Sequence, residues 1–205
     1  MQPRDGRRTV IERHVQAERT ELAELLSGLD QAQWEADTLC DGWRVREVVA
    51  HMTQPFRMSG GRVVWELVKA GGRFNRMADR TARRGAARMS AAELTALLRD
   101  NAAHPWKPFG GGTVGALSHD VIHGLDITAG LGLQRRVPLE RLAIVLGGVT
   151  PRSVAFFGVD LRGVQLQALD LDWSYGAGRP VRAPAQELLL ALCGRRLPRP
   201  LDGLN

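Results

Sequence analysis

Cysteine, lysine and long apolar runs are what this 205-residue chain has least of. Its two cysteines, Cys40 and Cys193, lie far apart and form no C-x-x-C pair, which argues against a disulfide framework and a cysteine metal knuckle. No run approaches the roughly 18 apolar residues that cross a bilayer. The opening MQPRDGRRTVIERH carries charge with no apolar stretch behind it, so neither secretion nor membrane insertion is expected and the cytoplasm is the default location. Aromatic residues are scarce at 5%, yet 44% hydrophobic and 24% charged residues lie near globular averages and exclude disordered or collagenous classes.

Acidic residues are outnumbered, 22 against 28 cationic ones, for a formal charge of +6. A basic chain gains affinity for nucleic acid by releasing counterions from phosphates. Here Lys69 and Lys107 are the only lysines, and so strong an arginine bias, with abundant Ala, Gly and Leu, equally fits a GC-rich coding sequence. Charge alone does not decide the partner.

From about Arg8 to Leu26, Val10, Ile11, Val15, Leu22, Leu25 and Leu26 recur mostly at helical spacing, which predicts an amphipathic helix ended by Gly28. A second helix is expected from Arg44 through His51, bent or broken at Pro55 and resumed over RVVWELVKA to Gly71. GGRFNRMADRTARRGAAR reads as a glycine- and arginine-rich link, its cluster Arg73, Arg76, Arg80, Arg83, Arg84 and Arg88 solvated and mobile, or else a lid over an anionic substrate. Ser90 and Glu93 have capping-box spacing before a third helix. After HPWKPFGGG, Thr113 is the expected N-cap of a fourth, VGALSHDVIHGLDITAGL, ended by Gly130 and Gly132.

Four such helices imply a bundle over residues 1–134. Residues 135–205 read as a small α+β unit: a helix over PLERLAIVLGGV, a strand through Val164, Leu166 and Ala168, a turn at Gly176 to Gly178, a strand over RPVRA, and a closing helix with Pro184 in its first turn.

His119 and His123 stand four apart on the fourth helix, so both imidazoles share one face within reach of one ion. His51 is the obvious third donor, because a bundle brings inward side chains of different helices together. The alternative is that these are ordinary core histidines, and an isolated i, i+4 pair is more often that. Three unpaired imidazoles in such apolar surroundings would each carry a burial cost of about 1–3 kcal/mol, which a shared metal removes. HDVIH also approaches the H-E-x-x-H pattern of zinc proteases, but Asp120 is one methylene shorter than Glu and no third ligand follows it. Asp120 is read as a solvated residue or as a partner that orients a ligand imidazole, and Asp126 as an equal candidate for that orienting role.

LCDGWRVREVVAHM resembles the N-terminal signature of mycothiol-dependent maleylpyruvate isomerase-like proteins, in the DinB/YfiT-like superfamily. SHDVIHGLDI resembles their fourth-helix signature, and ALDLDWSYGAGRPVRAPAQELLLALCGR resembles the sterol carrier protein-like C-terminal domain many of them carry. The resemblance spans nearly the whole chain in the expected order. It implies a four-helix bundle holding a divalent metal, zinc before nickel, through His51, His119 and His123, with mycothiol, the thiol of actinobacteria, or another small thiol as cosubstrate for isomerisation or S-transfer. Two positions depart from the pattern: Arg44 stands where the family has a capping Thr, and His119 where the isomerase has Glu. An all-histidine site is less negative, which leaves the ion more electrophilic and puts maleylpyruvate itself in doubt.

The mechanism expected from this set is attack by a metal-activated thiolate on a small electrophile. Arg195 of LCGR is the candidate for holding a carboxylate of that electrophile, against the alternative of a helix-end arginine meeting the dipole. Trp43 and Asp126 are placed at the cofactor site; for Trp43, as for Trp173, a packing role competes. Cys40 has no local His partner and reads as a small buried hydrophobe. Competing functions are a metal-dependent hydrolase, indifferent to added thiol, and a non-catalytic regulatory protein binding nucleic acid through its arginines. The favoured partners are a thiol and a small molecule, without membrane or nucleic acid, the protein being a monomer or homodimer.

Overall fold

The computed structural model describes residues 3–201. Helix α1 (Pro3–Ser27) is followed by the single turn α2 (Gln31–Trp34), which opens on a capping box between Asp30 and Gln33. The expected second helix is three pieces. Helix α3 (Val45–Met52) ends where Thr53 turns its hydroxyl back onto the carbonyls of Val49 and Ala50, α4 (Gln54–Arg57) takes Pro55 in its first turn, and α5 (Gly60–Lys69) restarts with Ser59 as N-cap. Proline lacks the N–H needed to continue α3 but suits the start of a new helix.

The arginine-rich stretch is not a mobile link. Residues Phe74–Arg88 form helix α6, which buries Met77, Ala78, Thr81, Ala82, Gly85 and Ala86 and packs along α3. Its apolar stripe is built of small residues, so the backbones approach closely while Arg76, Arg83 and Arg88 stay on the outer surface. Arg80 and Arg84 converge on the buried carboxylate of Glu66 in α5. The capping box of Ser90 and Glu93 opens α7 (Ala91–Asp100) as expected.

Helix α8 (Gly112–Gly130) starts one residue before Thr113, with Gly111 as N-cap and no side-chain cap. A proline explains the difference: a Cβ on Gly111 or Gly115 would stand 2.9 Å from Cγ of Pro108, so the chain turns into the helix on glycine. Helices α1, α3, α7 and α8 make the bundle, with α1 on α7 and α8, and α3 on α7 and α8. Leu22, Leu26, Val48, Val49, Leu94, Leu98 and Ile127 meet in one part of its core. Each fully buried aliphatic side chain contributes about 1.5–3 kcal/mol.

The remainder comprises α9 (Leu139–Leu146), α10 (Pro151–Phe156), strands β1 (Val164–Ala168), β2 (Ser174–Gly176) and β3 (Arg179–Ala183), and α11 (Ala185–Leu192). Strand β2, absent from the sequence reading, pairs antiparallel with β1. The chain then crosses the end of β1 so that β3 runs parallel along its other edge, in the order β2-β1-β3. Glycine is required at that crossing: Gly178 has φ 130° and a Cβ there would lie 2.3 Å from the Gly163 backbone. Leu166 and Val181 face α11 in an apolar cluster that runs on into Leu117, Val121 and Leu125 of α8 and Ile11 and Val15 of α1. The C-terminal segment is thereby packed on the helix that carries His119 and His123. Among the described residues no helix is long and apolar enough to cross a membrane.

Candidate metal centre

Helix α3 points His51 across the bundle at α8, where His119 and His123 sit one turn apart. One nitrogen of each of the three lies within 4.8 Å of the others, and the ring centroids are 4.7 to 5.1 Å apart. Nε2 of His51 and Nε2 of His119 are separated by 3.2 Å.

The other nitrogen of each α8 histidine is tied to a carboxylate. His119 Nδ1 is 2.9 Å from Oδ1 of Asp120, whose Oδ2 accepts from Nε of the fully buried Arg19 at 2.6 Å. His123 Nδ1 is 3.1 Å from Oδ2 of Asp126. Arg195 grips both Asp126 oxygens, Nε on Oδ1 at 2.8 Å and Nη2 on Oδ2 at 2.9 Å. Two arginine–carboxylate–imidazole chains thus fix the ring planes and favour the tautomer that leaves Nε2 as the free donor on His119 and His123.

Protonation follows from the same geometry. Burial, with the neighbouring imidazoles adding to it, holds His51 well below the usual histidine range. Burial also lowers His123, against the opposing effect of the hydrogen bond that Asp126 accepts from it. Burial would raise the Asp126 carboxyl, but the hydrogen bond and charge of His123, then those of Arg195, outweigh it and keep the group below the usual carboxylate range. The set is two neutral imidazoles beside a firmly ionised carboxylate.

The residues present fit a divalent ion. With His119 Nδ1–H on Asp120, His119 Nε2 carries a lone pair, and His51 can meet it only as an Nε2–H donor or across a shared cation. In either arrangement His51 Nδ1 is buried without a partner, so the fit rests on the three converging ring nitrogens. Two nitrogens about 2.0–2.1 Å from one tetrahedral zinc lie about 3.3–3.4 Å from each other, close to the separation found. Three imidazole donors suit zinc or nickel, not the hard oxygen-seeking cations.

Aromatic rings wall the cluster. Trp43 sets its ring 5.1 Å from His51, anchored by an Nε1 hydrogen bond to Asp79. Trp106 lies edge-on to His119 at 5.1 Å; it belongs to the HPWKPFGGG interruption and was not singled out from the sequence. Trp173 bonds the Leu146 carbonyl and stacks near Tyr175, a packing role away from the histidines.

Cys40 is buried as expected, but in polar company: its thiol donates to Asp126 at 2.9 Å, and Arg195 Nη2 lies 3.3 Å from its sulfur. Burial, reinforced by the Asp126 charge, pushes that thiol far above the ordinary range, so it is no resident thiolate nucleophile. Arg195, the residue expected to hold a substrate carboxylate, engages Asp126 through Nε and Nη2. Arg19 was also missed, although a signal exists: Glu18-Arg19 interrupts the apolar stripe of Ile11, Val15, Leu22 and Leu26 at core positions.

Residues 15–105 match the family model described as the mycothiol maleylpyruvate isomerase N-terminal domain. No curated protein matches the chain significantly. Among solved structures, the mycothiol-dependent maleylpyruvate isomerase is 14% identical with a TM-score of 0.48, and a histidine-to-alanine mutant of it is 13% identical with a TM-score of 0.47. Each alignment covers 93% of this chain and 89% of the other. The likeness to the mycothiol maleylpyruvate isomerase N-terminal domain is thus carried by residues 15–105, which include His51 of the cluster and end before His119 and His123.

Proposed function

We propose that this protein is a metal-dependent enzyme that uses a low-molecular-weight thiol, mycothiol or a close equivalent, to isomerise or thiolate a small electrophile. The observation that carries the reading is the convergence of His51, His119 and His123, two of them held by buried arginine–carboxylate pairs. A divalent ion bound there supplies the positive charge that stabilises a thiolate near neutral pH. Zinc is the metal the donors fit best.

The chain's own residues do the remaining work. Asp120 and Asp126 engage Nδ1 of their imidazoles and so turn Nε2 of each toward the centre of the cluster. Trp43 and Trp106 shield the cluster from bulk water and strengthen its electrostatics. Arg195, about one-fifth exposed, positions Asp126 with its Nε and Nη2 and presents the remaining face of its guanidinium toward a substrate carboxylate.

The test is elemental analysis of wild type, His51→Ala and His123→Ala purified identically, followed by a panel of small electrophiles with and without thiol. Near-stoichiometric zinc or nickel lost in both variants, with turnover that requires thiol, is the expected result. Metal-dependent turnover indifferent to thiol would replace this reading with a hydrolase. Failure of the apo-protein to take up metal would make the histidines structural.

A further inference from the structure

Helix α6 packs on α3 through Gly85 against Ala50, while the next residue of α3, His51, faces α8. On the α6 side a cleft of about 280 Å³ opens between α4, the start of α5 and α6. Four arginines line it, Arg57, Arg62, Arg84 and Arg88, against a single acid, Glu66. Glu66 is already engaged by Arg80 and Arg84. Among the described residues, no ion pair joins Arg57, Arg62 or Arg88.

Arg57 is the most unusual of the four. Its guanidinium is half-buried, burial lowers its pKa, its Nη2 reaches only the Ala50 carbonyl, and its Nε is buried without a partner. Room for it exists because position 85 is glycine; a Cβ there would stand 3.0 Å from Nη2. A partly desolvated cation without a counter-charge is costly unless an anion completes it. Arg62, which lines the cleft, lies in the first turn of α5, where the helix dipole adds partial positive charge.

We propose that this cleft is a binding site for a compact dianion of the phosphate type, separate from the histidine cluster and lying on the opposite side of α3. Arg57 and Arg84 form its floor, and Arg62 and Arg88 close on the ligand from the rim. Arginine suits this task because its planar fork matches phosphate oxygens in pairs. The concave shape and the lining methionines Met58 and Met89 favour a small phosphorylated molecule over a nucleic-acid backbone, which needs an open basic stripe.

The test is calorimetric titration of the full chain with inorganic phosphate, at ionic strength held constant with chloride, for the metal-loaded and the chelated protein. The comparison variant is Arg62→Ala/Arg88→Ala, since both side chains are exposed and carry no described fold contact. Saturable phosphate binding, unchanged by chelation and weakened at least tenfold in the double variant while its melting temperature in chloride stays at the wild-type value, is expected. Stabilisation by chloride equal to that by phosphate would overturn the proposal. So would an affinity unaffected by the two substitutions, binding abolished by chelation, or binding of succinate or duplex DNA but not phosphate.

Discussion

Arg195 and Asp126 stand 69 residues apart and meet through two hydrogen bonds, Nε to Oδ1 and Nη2 to Oδ2. Since Asp126 also orients His123, a residue three positions beyond the closing helix α11 controls a donor in the middle of α8. This is the most direct link between the C-terminal segment and the candidate metal centre.

Arg195→Gln is therefore expected to weaken zinc retention about 10–100-fold, the usual cost of losing a hydrogen-bond partner behind a ligand. Asp126→Asn should weaken it at least as much, because His123 then loses the carboxylate that holds its tautomer. Competition with a chromophoric chelator measures both. Equal zinc affinity in Arg195→Gln and wild type would show that the pair has only a packing role.

The buried histidines give a pH dependence to the metal-free protein. His51 and His123 are held below the unfolded value of 6.5, so as pH falls the unfolded chain takes up protons first and stability declines. Their contribution is complete above that value and is lost progressively as pH drops toward the lowered folded values. The melting temperature of chelated protein should fall between pH 7.5 and 5.5, and His51→Gln should flatten the curve. A flat wild-type profile would contradict the burial argument.

Ser90→Ala removes the N-cap of α7, where Ser90 Oγ accepts from the Glu93 N–H and Glu93 reaches back to the Ser90 N–H. The expected loss is about 1 kcal/mol in urea unfolding. Metal content should not change, since α7 carries no histidine of the cluster.

Gly178→Ala places a Cβ within 2.3 Å of the Gly163 backbone and forces a side chain onto φ 130°. A loss of about 2–3 kcal/mol is expected, read as a lower denaturation midpoint. Because β3 leads directly into α11 and Arg195, zinc affinity should fall as well. Unchanged metal binding would mean that α11 docks independently of the sheet.

Much of this arrangement was legible in the chain because it rests on local rules. The periodic leucines of α1, the Ser90 capping box, the glycines that end α8 and the i, i+4 spacing of His119 and His123 each express geometry within one turn of helix. The strand through Leu166 and the turn at Gly176 to Gly178 are likewise local patterns. Helix α6 escaped because its buried stripe has Met77 as its one large apolar side chain and is otherwise Ala, Thr and Gly, and small residues signal a buried face only when a neighbouring helix such as α3 lies close enough to use them. Strand β2 escaped because three residues are too few to show a period, and its pairing with β1 alone defines it.

The donor set itself was a local signal completed by topology: the sequence alone determined which residues can ligate, and the packing of α3 on α8 decided that His51 meets the other two. Most of what surrounds those donors belongs to tertiary structure. Asp120 and Asp126 sit within three residues of the histidines they orient, but Arg19, Cys40, Trp106 and Arg195 come from segments up to 176 residues apart, and no spacing rule connects them. The physical reason is that burial makes charges seek partners wherever the fold supplies them, so the pairing of a carboxylate is settled by the low-dielectric interior it enters and not by its neighbours in sequence.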